Sequence, residues 1–556
     1  MSLTTSAQTH VSTEPSPRVA LLEEFTGIFC GNCPDGHEMS RLLQLAHPGM
    51  IIPVNIHAGH FAEVEPGYPS IYYDFNTPQG TIIHDYFGAN SYPCAVMNRT
   101  MFNGQAQYCI GRGSWGNCEK TVNTETAPVN IWMDATYNKD TRTYEIDIEA
   151  YFISEVLNPK LIVEVLQNDI CGYQSGGGVV DSYWHQHVFR EIITDTWGDT
   201  MADYDLNTPI TRHFTYVLPE KIQNVPTDPA HMEFVAFISE GDTNITTGNT
   251  GVTVLNATSC HPAIPGVDEP NDVRVYQPLV EVEANKGWGY NFFPVVLMNK
   301  TSKPLTSAEF EVLLNKNTLE SSWTGEIAPY SQVTVQVPIP EGLTQLDEGQ
   351  NRWRVDIVKA NGEPVSTPTF ISGNFRQYKE YPNKLKFEVR TDKDAADNTF
   401  TIRDESGAVV EEFGPYTDGE VHEETREVEL EPGKIYCLEI TDAWGNGVKN
   451  PRGQVIIRNM EGGLVNQFKE IDGYGLRGFF RTSDNSGVNG IASENIEIAV
   501  TESEVAAPGA CIAVYSASGM QAAVGFDSVN ILALAPGAYI VKAEAEGKVR
   551  TCKFMK

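Results

Sequence analysis

The chain has 556 residues, 41% hydrophobic and 20% charged; this globular composition excludes disorder over the whole length and, at ~100–200 residues per domain, implies roughly three to five domains. Lys plus Arg number 39 against 73 Asp plus Glu, a net charge of −34, and so acidic a surface repels phosphate, which makes nucleic acid and anionic lipid poor candidates as partners. No apolar run approaches the ~18 residues of a membrane span.

Residues 1–17 form a polar, Pro-containing tail expected to be disordered. The N-terminus lacks the basic start and apolar stretch of a signal peptide. Two readings fit, a cytosolic protein or a mature form with its signal removed, and the rest of the chain favours the second. Val19 to Phe25 reads as a buried strand, Thr26 to Phe29 as a turn, and Met39, Leu42, Leu43 and Ala46 as one face of a helix stopped at His47-Pro48-Gly49. Ile51 to Ile56 is the next strand. Cys30-Gly31-Asn32-Cys33-Pro34 therefore sits at the helix start of a βαβ unit.

From about residue 129 the period changes to two, with Tyr144, Ile146, Ile148 and Ala150 alternating along a strand. Further strands are expected at 161–166, 187–193, 213–218 and 233–238, spacing that suggests a β-sandwich. The boundaries give a tail (1–17), an α/β domain (18–127), a β-sandwich (128–262), a linker (263–272), an immunoglobulin-like β-domain (273–376), another β-domain (377–485) and a small strand-rich domain (486–556).

Two thiols three positions apart at a helix start can close a small ring. The helix dipole and unpaired N–H groups there stabilise a thiolate on the first. Cys30 is thus the candidate nucleophile in thiol–disulfide exchange and Cys33 the resolving thiol. An inert disulfide is the competing reading, and zinc a minor one, because no second Cys pair stands at finger spacing. Ten cysteines spread over β-domains read as an exported protein with some disulfides. Cys109 and Cys118 flank a Gly-rich loop and are expected to close it, and Cys171 and Cys260 are placed to bridge the ends of the sandwich. Cys94 reads as a small buried residue. His57 and His60, and His185 and His187, are expected on the polar surface rather than at a metal. The turn Asp442-Ala443-Trp444-Gly445-Asn446-Gly447 lacks the length and terminal Glu of a calcium loop and is expected to be an Asx turn.

Tyr92-Pro93-Cys94 ahead of Asn103-Gly104 resembles the cis-proline loop of the thioredoxin family. That resemblance implies that Pro93 faces the Cys pair and offers backbone to a substrate. Phe29 and Asn32 depart from the family pattern, which puts the redox potential in doubt. The first 260 residues resemble the Omp28-related outer-membrane proteins of Bacteroidetes. The matching stretches are Leu21 to Gly27 running into Cys30-x-x-Cys33-Pro34, Ile56 to Gly59, Tyr73 to Pro78, Tyr92-Pro93 with Asn98-Arg99, and His187 to Arg190. Ile512 to Gly519, Leu534 to Val541 and the basic end at Lys553 and Lys556 resemble the C-terminal sorting domain of type IX secretion substrates. The segment from Tyr436 to Asp442 resembles the jelly-roll-like domains that precede such signals.

The expected fold class is thus multidomain α/β plus all-β, a thioredoxin-like N-terminal domain followed by several β-sandwich or jelly-roll domains. The expected location is the outer membrane surface or the extracellular space. One functional reading is a thiol–disulfide oxidoreductase acting through Cys30, Cys33 and Pro93 on protein thiols or disulfides. The alternative is a surface adhesion or ligand-binding protein in which that domain is a scaffold and the β-domains meet an unknown surface ligand. Copper handling by the Cys pair and a histidine is a third. The type IX machinery is an expected partner, and no cofactor or metal is expected. An oxidoreductase should expose Cys30; a scaffold should bury the pair or keep it oxidised.

Overall fold

The computed structural model describes residues 9–178, 180–240, 252–280, 288–343, 350–376, 378–449, 453–469, 471–483, 498–501, 503–516, 521–532, 534–545 and 548–556. Among them strands dominate and three α-helices occur, all in the first quarter of the chain.

Ala20–Thr26 (β1) and Ile51–His57 (β2) pair in parallel, and Cys94–Met97 (β3) runs antiparallel to β1. Every residue of these three strands is buried, as expected of strands covered on both faces. Helix α1, Cys33–Ala46, crosses from β1 to β2 and carries Pro34 in its first turn, where the missing N–H is not needed. Helix α2, Pro78–Phe87, starts where Thr77 accepts from Gly80 N and ends at Gly88 in the left-handed region. Helix α3 spans Trp115–Asn123. Alternate residues of β1 divide the layers. Leu21 and Phe25 pack toward α2, and Ala20 and Leu22 toward α1 and α3.

The sheet does not stop at the expected 127/128 boundary. Strands β4 to β9 are Val129–Asn138, Thr143–Phe152, Lys160–Gln167, Ile170–Gly172, Tyr183–His185 and Val188–Ile192. Strands β10 to β15 are Asp199–Thr200, Pro209–Val217, Lys221–Ile222, Val225–Pro226, Met232–Glu240 and Thr253–Cys260. The order β15-β14-β6-β9-β2-β1-β3, with β10 on β6, makes one eight-stranded sheet. Its halves join at β2 and β9, where Asn55 lies opposite Val188. Strands β4, β5 and β11 form a separate sheet, and β7–β8 and β12–β13 are two-stranded pairs. The three-stranded sheet packs on β6 and β14, with Met133 and Ile148 in one cluster with Val163 and Phe234. Both sets alternate with period two, so periodicity could not tell them apart.

The expected linker at 263–272 is built in. Ala263 exchanges 2.8 Å backbone hydrogen bonds with Ala135 and Tyr137, and Asn271 Nδ2 donates to the carbonyls of Ala360 and Glu363. Residues 273–376 form a three-stranded and a five-stranded sheet around one core, and residues 379–483 form a five-stranded and a four-stranded pair around another. Residues 499–555 contribute a five-stranded sheet. The expected 485/486 boundary, and residues 517–519 of the sorting-domain motif, lie outside the described residues.

The third unit docks on the first. Trp444 stacks on His47 with ring centroids 4.0 Å apart. A Cβ at Gly116, in the first turn of α3, would lie 2.0 Å from the Trp444 carbonyl oxygen, so this glycine permits the close approach. The Asp442 turn is an Asx turn, its Oδ1 accepting from Trp444 N and Asn446 N.

Candidate functional site

Cys30 and Cys33 are joined by a disulfide, S–S 2.14 Å, at the start of α1. The Tyr92–Pro93 bond is cis, and the Pro93 ring lies against Gly36, one turn along α1, where a Cβ would be 3.0 Å from Pro93 Cβ and Cγ. The same Cβ would be 2.4 Å from Glu24 Oε1. Gly36 thus lets the helix close on both Pro93 and a carboxyl that the sequence reading had passed over.

Glu24 is fully buried on β1, and neither of its oxygens has a hydrogen-bond partner. Burial pushes its carboxyl well above the usual range, Cys94 adds to the shift, and Arg112 opposes it. His37 Nε2 lies 3.8 Å from Glu24 Oε1. Its ring nitrogens are hydrogen-bonded to Thr26 Oγ1 at 3.0 Å and Tyr183 Oη at 2.7 Å. Burial and the neighbouring His185 and His187 lower the His37 pKa to about 3, so the imidazole is neutral. The signal for Glu24 was a pair of acids, Glu23 and Glu24, inside a strand with a buried, largely apolar pattern.

The disulfide is covered. Cys30 is 2% exposed and Cys33 fully buried. The segment between β7 and β8 lies over them. Gln174 Nε2 donates to the carbonyls of Cys30 at 3.0 Å and Gly27 at 3.2 Å, and Ser175 N donates to Ile28 O at 2.8 Å. Gly176, at φ +75°, rests on Gly31 so closely that a Cβ would be 2.1 Å from the Gly31 carbonyl oxygen.

The remaining cysteines among the described residues are free thiols. The expected Cys109–Cys118 and Cys171–Cys260 bridges are absent. Cys109 packs with Cys94 in the cluster on the α2 side of the sheet, and Cys118 packs on the α1–α3 side. Cys171 sits opposite Trp184 in the exposed β7–β8 hairpin, and Cys260 opposite Phe234 at the end of β15. Two histidines expected on the surface are also elsewhere. His57 is buried with both ring nitrogens unpartnered, and His185 is buried 5.7 Å from it. No group of three or more metal-ligating side chains converges among the described residues.

A second feature lies beside the first. A cavity of about 960 Å³ opens between α1, the β7–β8 hairpin and strands of the 273–376 unit. Arg274 and Lys300 reach from that unit to Asp169, at 2.9 and 3.0 Å. Burial raises the Asp169 pKa, but Lys300 and Arg274 outweigh it and hold the carboxyl at about 2. His187 Nδ1 lies 2.9 Å from Glu233 Oε2, and this pairing likewise overcomes burial and holds Glu233 at about 2. Arg41 forks onto Glu38 and lies over the Tyr276 ring, 4.7 Å from its centroid. Arg274 lies over Trp184, whose ring-bearing residue stays 38% exposed. Asn55, with Oδ1 unpartnered, also lines the cavity, as do Gln186, Asn256 and Gln332. The charges are paired among themselves and Gln186, Asn256 and Gln332 are bonded within the protein, which leaves Asn55 Oδ1, hydroxyls and aromatic faces for a ligand.

Residues 81–258, from α2 to β15, match the family described as outer membrane protein Omp28. Among solved structures, HBP35 of Porphyromonas gingivalis is 18% identical, over 64% of this chain and 99% of that one, at a TM-score of 0.36. A domain of the outer membrane lipoprotein Omp28 from Porphyromonas gingivalis is 15% identical, over 25% of this chain and 90% of that one, at 0.17. The Bacteroides ovatus SGBP-B of a mixed-linkage glucan utilization locus, in complex with a mixed-linkage heptasaccharide, is 11% identical, over 52% of this chain and 70% of that one, at 0.13. No curated protein matches the chain.

Proposed function

We propose that this chain is a cell-surface ligand-binding protein whose N-terminal unit, thioredoxin-like in arrangement, serves mainly as scaffold. The cavity of about 960 Å³ carries this reading. It has the size of a small-molecule site and lies at a junction of units, where such sites concentrate. Opening a buried ion pair to admit a charged ligand would leave the displaced partner uncompensated. The paired lining therefore favours an uncharged, hydroxyl-rich ligand, an oligosaccharide, with Trp184 as a stacking face. The Omp28 match over 81–258 supports an outer-membrane or surface location.

Electrophoresis of the full chain in gels cast with dextran, mannan or xylan, beside polygalacturonate, tests this. Retardation by a neutral polysaccharide, lost in Trp184→Ala, supports the reading. Retardation by polygalacturonate alone rejects the ligand class. Equal mobility in every gel rejects the cavity as a saccharide site.

Thiol–disulfide exchange is the second reading, favoured by the disulfide at the start of α1 with the cis Tyr92–Pro93 bond packed on the same helix at Gly36. A substrate thiolate would attack Cys30 Sγ, Cys33 would leave as a thiolate, and Pro93 would help hold the substrate backbone. A second substrate thiolate would then release Cys30, leaving the substrate oxidised and the pair reduced. Turnover of insulin disulfides in dithiothreitol tests it.

A further inference from the structure

An exchange-competent disulfide needs a line of attack on its outer sulfur, and here Cys30 is 2% exposed with the Gln174–Ser175 segment bonded across the turn that carries it. Gln174 is completely buried, and its donations to Gly27 and Cys30 hold the segment down over the turn that carries the disulfide. Beyond Ser175 the segment is Gly176-Gly177-Gly178, with φ of +75° at Gly176 and +73° at Gly178. Gly176 and Gly178 are exposed. A stretch with no side chains and exposed backbone is inexpensive to lift, because little apolar surface is uncovered when it moves.

We propose that Gln174 is a positioning residue that governs the reactivity of the Cys30–Cys33 pair, and that exchange at this disulfide proceeds only while the Gln174–Gly178 segment is displaced, Tyr173 staying on its Tyr72 stack. The inference rests on the exchange reading above. With dithiothreitol as reductant, one of its thiolates attacks Cys30 Sγ, the Cys30–Cys33 bond breaks and Cys33 leaves as a thiolate. The second dithiothreitol thiol then closes its own ring and frees Cys30. Two electrons and two protons pass to the protein, and the reductant becomes a cyclic disulfide.

The experiment follows reduction of the pair in the full chain by acid quench, alkylation and mass spectrometry of the Cys30–Cys33 peptide. Two variants open the cover by different means. Gln174→Ala removes the donors, and Gly176→Ala places a methyl against the Gly31 carbonyl. Both should speed reduction about 10-fold or more, while the equilibrium with glutathione moves less than about twofold, since the cover lies over reactant and product alike. Reduction of the wild-type chain should depend weakly on urea, because displacing one loop exposes little surface. A urea slope as steep as that of global unfolding overturns the proposal, since the pair would then open only with the whole fold. Unchanged rates in both variants overturn it equally. If both variants speed reduction while neither they nor the wild type turns over insulin disulfides, the cover stands and the exchange reading fails.

Discussion

Lys120 Nζ lies 2.7 Å from Asp397 Oδ2, an ion pair between helix α3 and a residue 277 positions further along the chain. Asp397 is nearly buried, and burial raises its pKa while Lys120 lowers it. Removing the ammonium leaves a buried carboxylate without its partner, which costs about 1–3 kcal/mol. Lys120→Ala should therefore weaken docking of the 379–483 unit. Gly116→Val should do so more strongly, because its Cβ would meet the Trp444 carbonyl. Calorimetry should show one transition in the wild-type chain resolving into two in Gly116→Val.

Glu164 gives a pH-dependent prediction. Arg99 forks onto Glu23 at 2.8 and 2.7 Å and lies 3.8 Å from Glu164, whose oxygens have no hydrogen-bond partner. Burial raises the Glu164 pKa, and the Glu23 charge raises it further, against the pull of Arg99. A carboxyl whose folded pKa lies above its unfolded value contributes stability that is full below the unfolded value and is lost as pH rises through the folded one. Glu164→Gln should thus be close to neutral at pH 4 and stabilising at pH 9. Thermal melts at the two pH values check the difference, and equal shifts would show an unperturbed carboxyl.

Asp169 titrates with the opposite sign. Its folded pKa of about 2 lies below the usual aspartate value of 3.8, because Lys300 and Arg274 overcome the effect of burial. Its contribution, about 2 kcal/mol, is present above the unfolded value and is lost as pH falls through the folded one. Docking of the 273–376 unit should therefore weaken between about pH 4 and pH 2. Asp169→Asn should remove that acid dependence and lower stability at pH 7, where it leaves Arg274 and Lys300 short of a partner. Urea unfolding at pH 3 and pH 7 measures both effects.

The strand Val19 to Phe25, helix α1 and the Cys pair at its start were legible because their signals are local: an apolar run, a helical stripe, a stop at Pro48. The join of β2 to β9 was not, since Asn55 and Val188 meet through chain 133 positions apart and neither strand's pattern names its neighbour. The cysteines show the same limit. Spacing put Cys109 with Cys118, but alternate faces of one sheet carry them apart. His57 and His185 were read as surface because polarity was weighed without the segment that buries them. The cavity combines residues 34–55, 168–187 and 274–332, and no window of sequence contains it. Glu23 and Glu24 were the missed clue, two acids in a strand already expected to be buried.

Replacing both cysteines of the covered pair separates scaffold from catalyst. A disulfide closing so small a ring restrains the unfolded chain modestly, by about 2 kcal/mol in the loop-closure account. Cys30→Ser with Cys33→Ser should lose about that much in urea unfolding, and reducing the wild-type chain should reproduce most of the loss. If the N-terminal unit is scaffold, the double variant should keep the wild-type retardation in neutral polysaccharide gels, because Cys30 and Cys33 do not line the cavity. Loss of retardation with stability preserved would instead tie the dithiol to ligand capture. The β7–β8 hairpin would be the physical link, since Gln174 holds the Cys30 carbonyl while Tyr183 and Trp184 line the cavity.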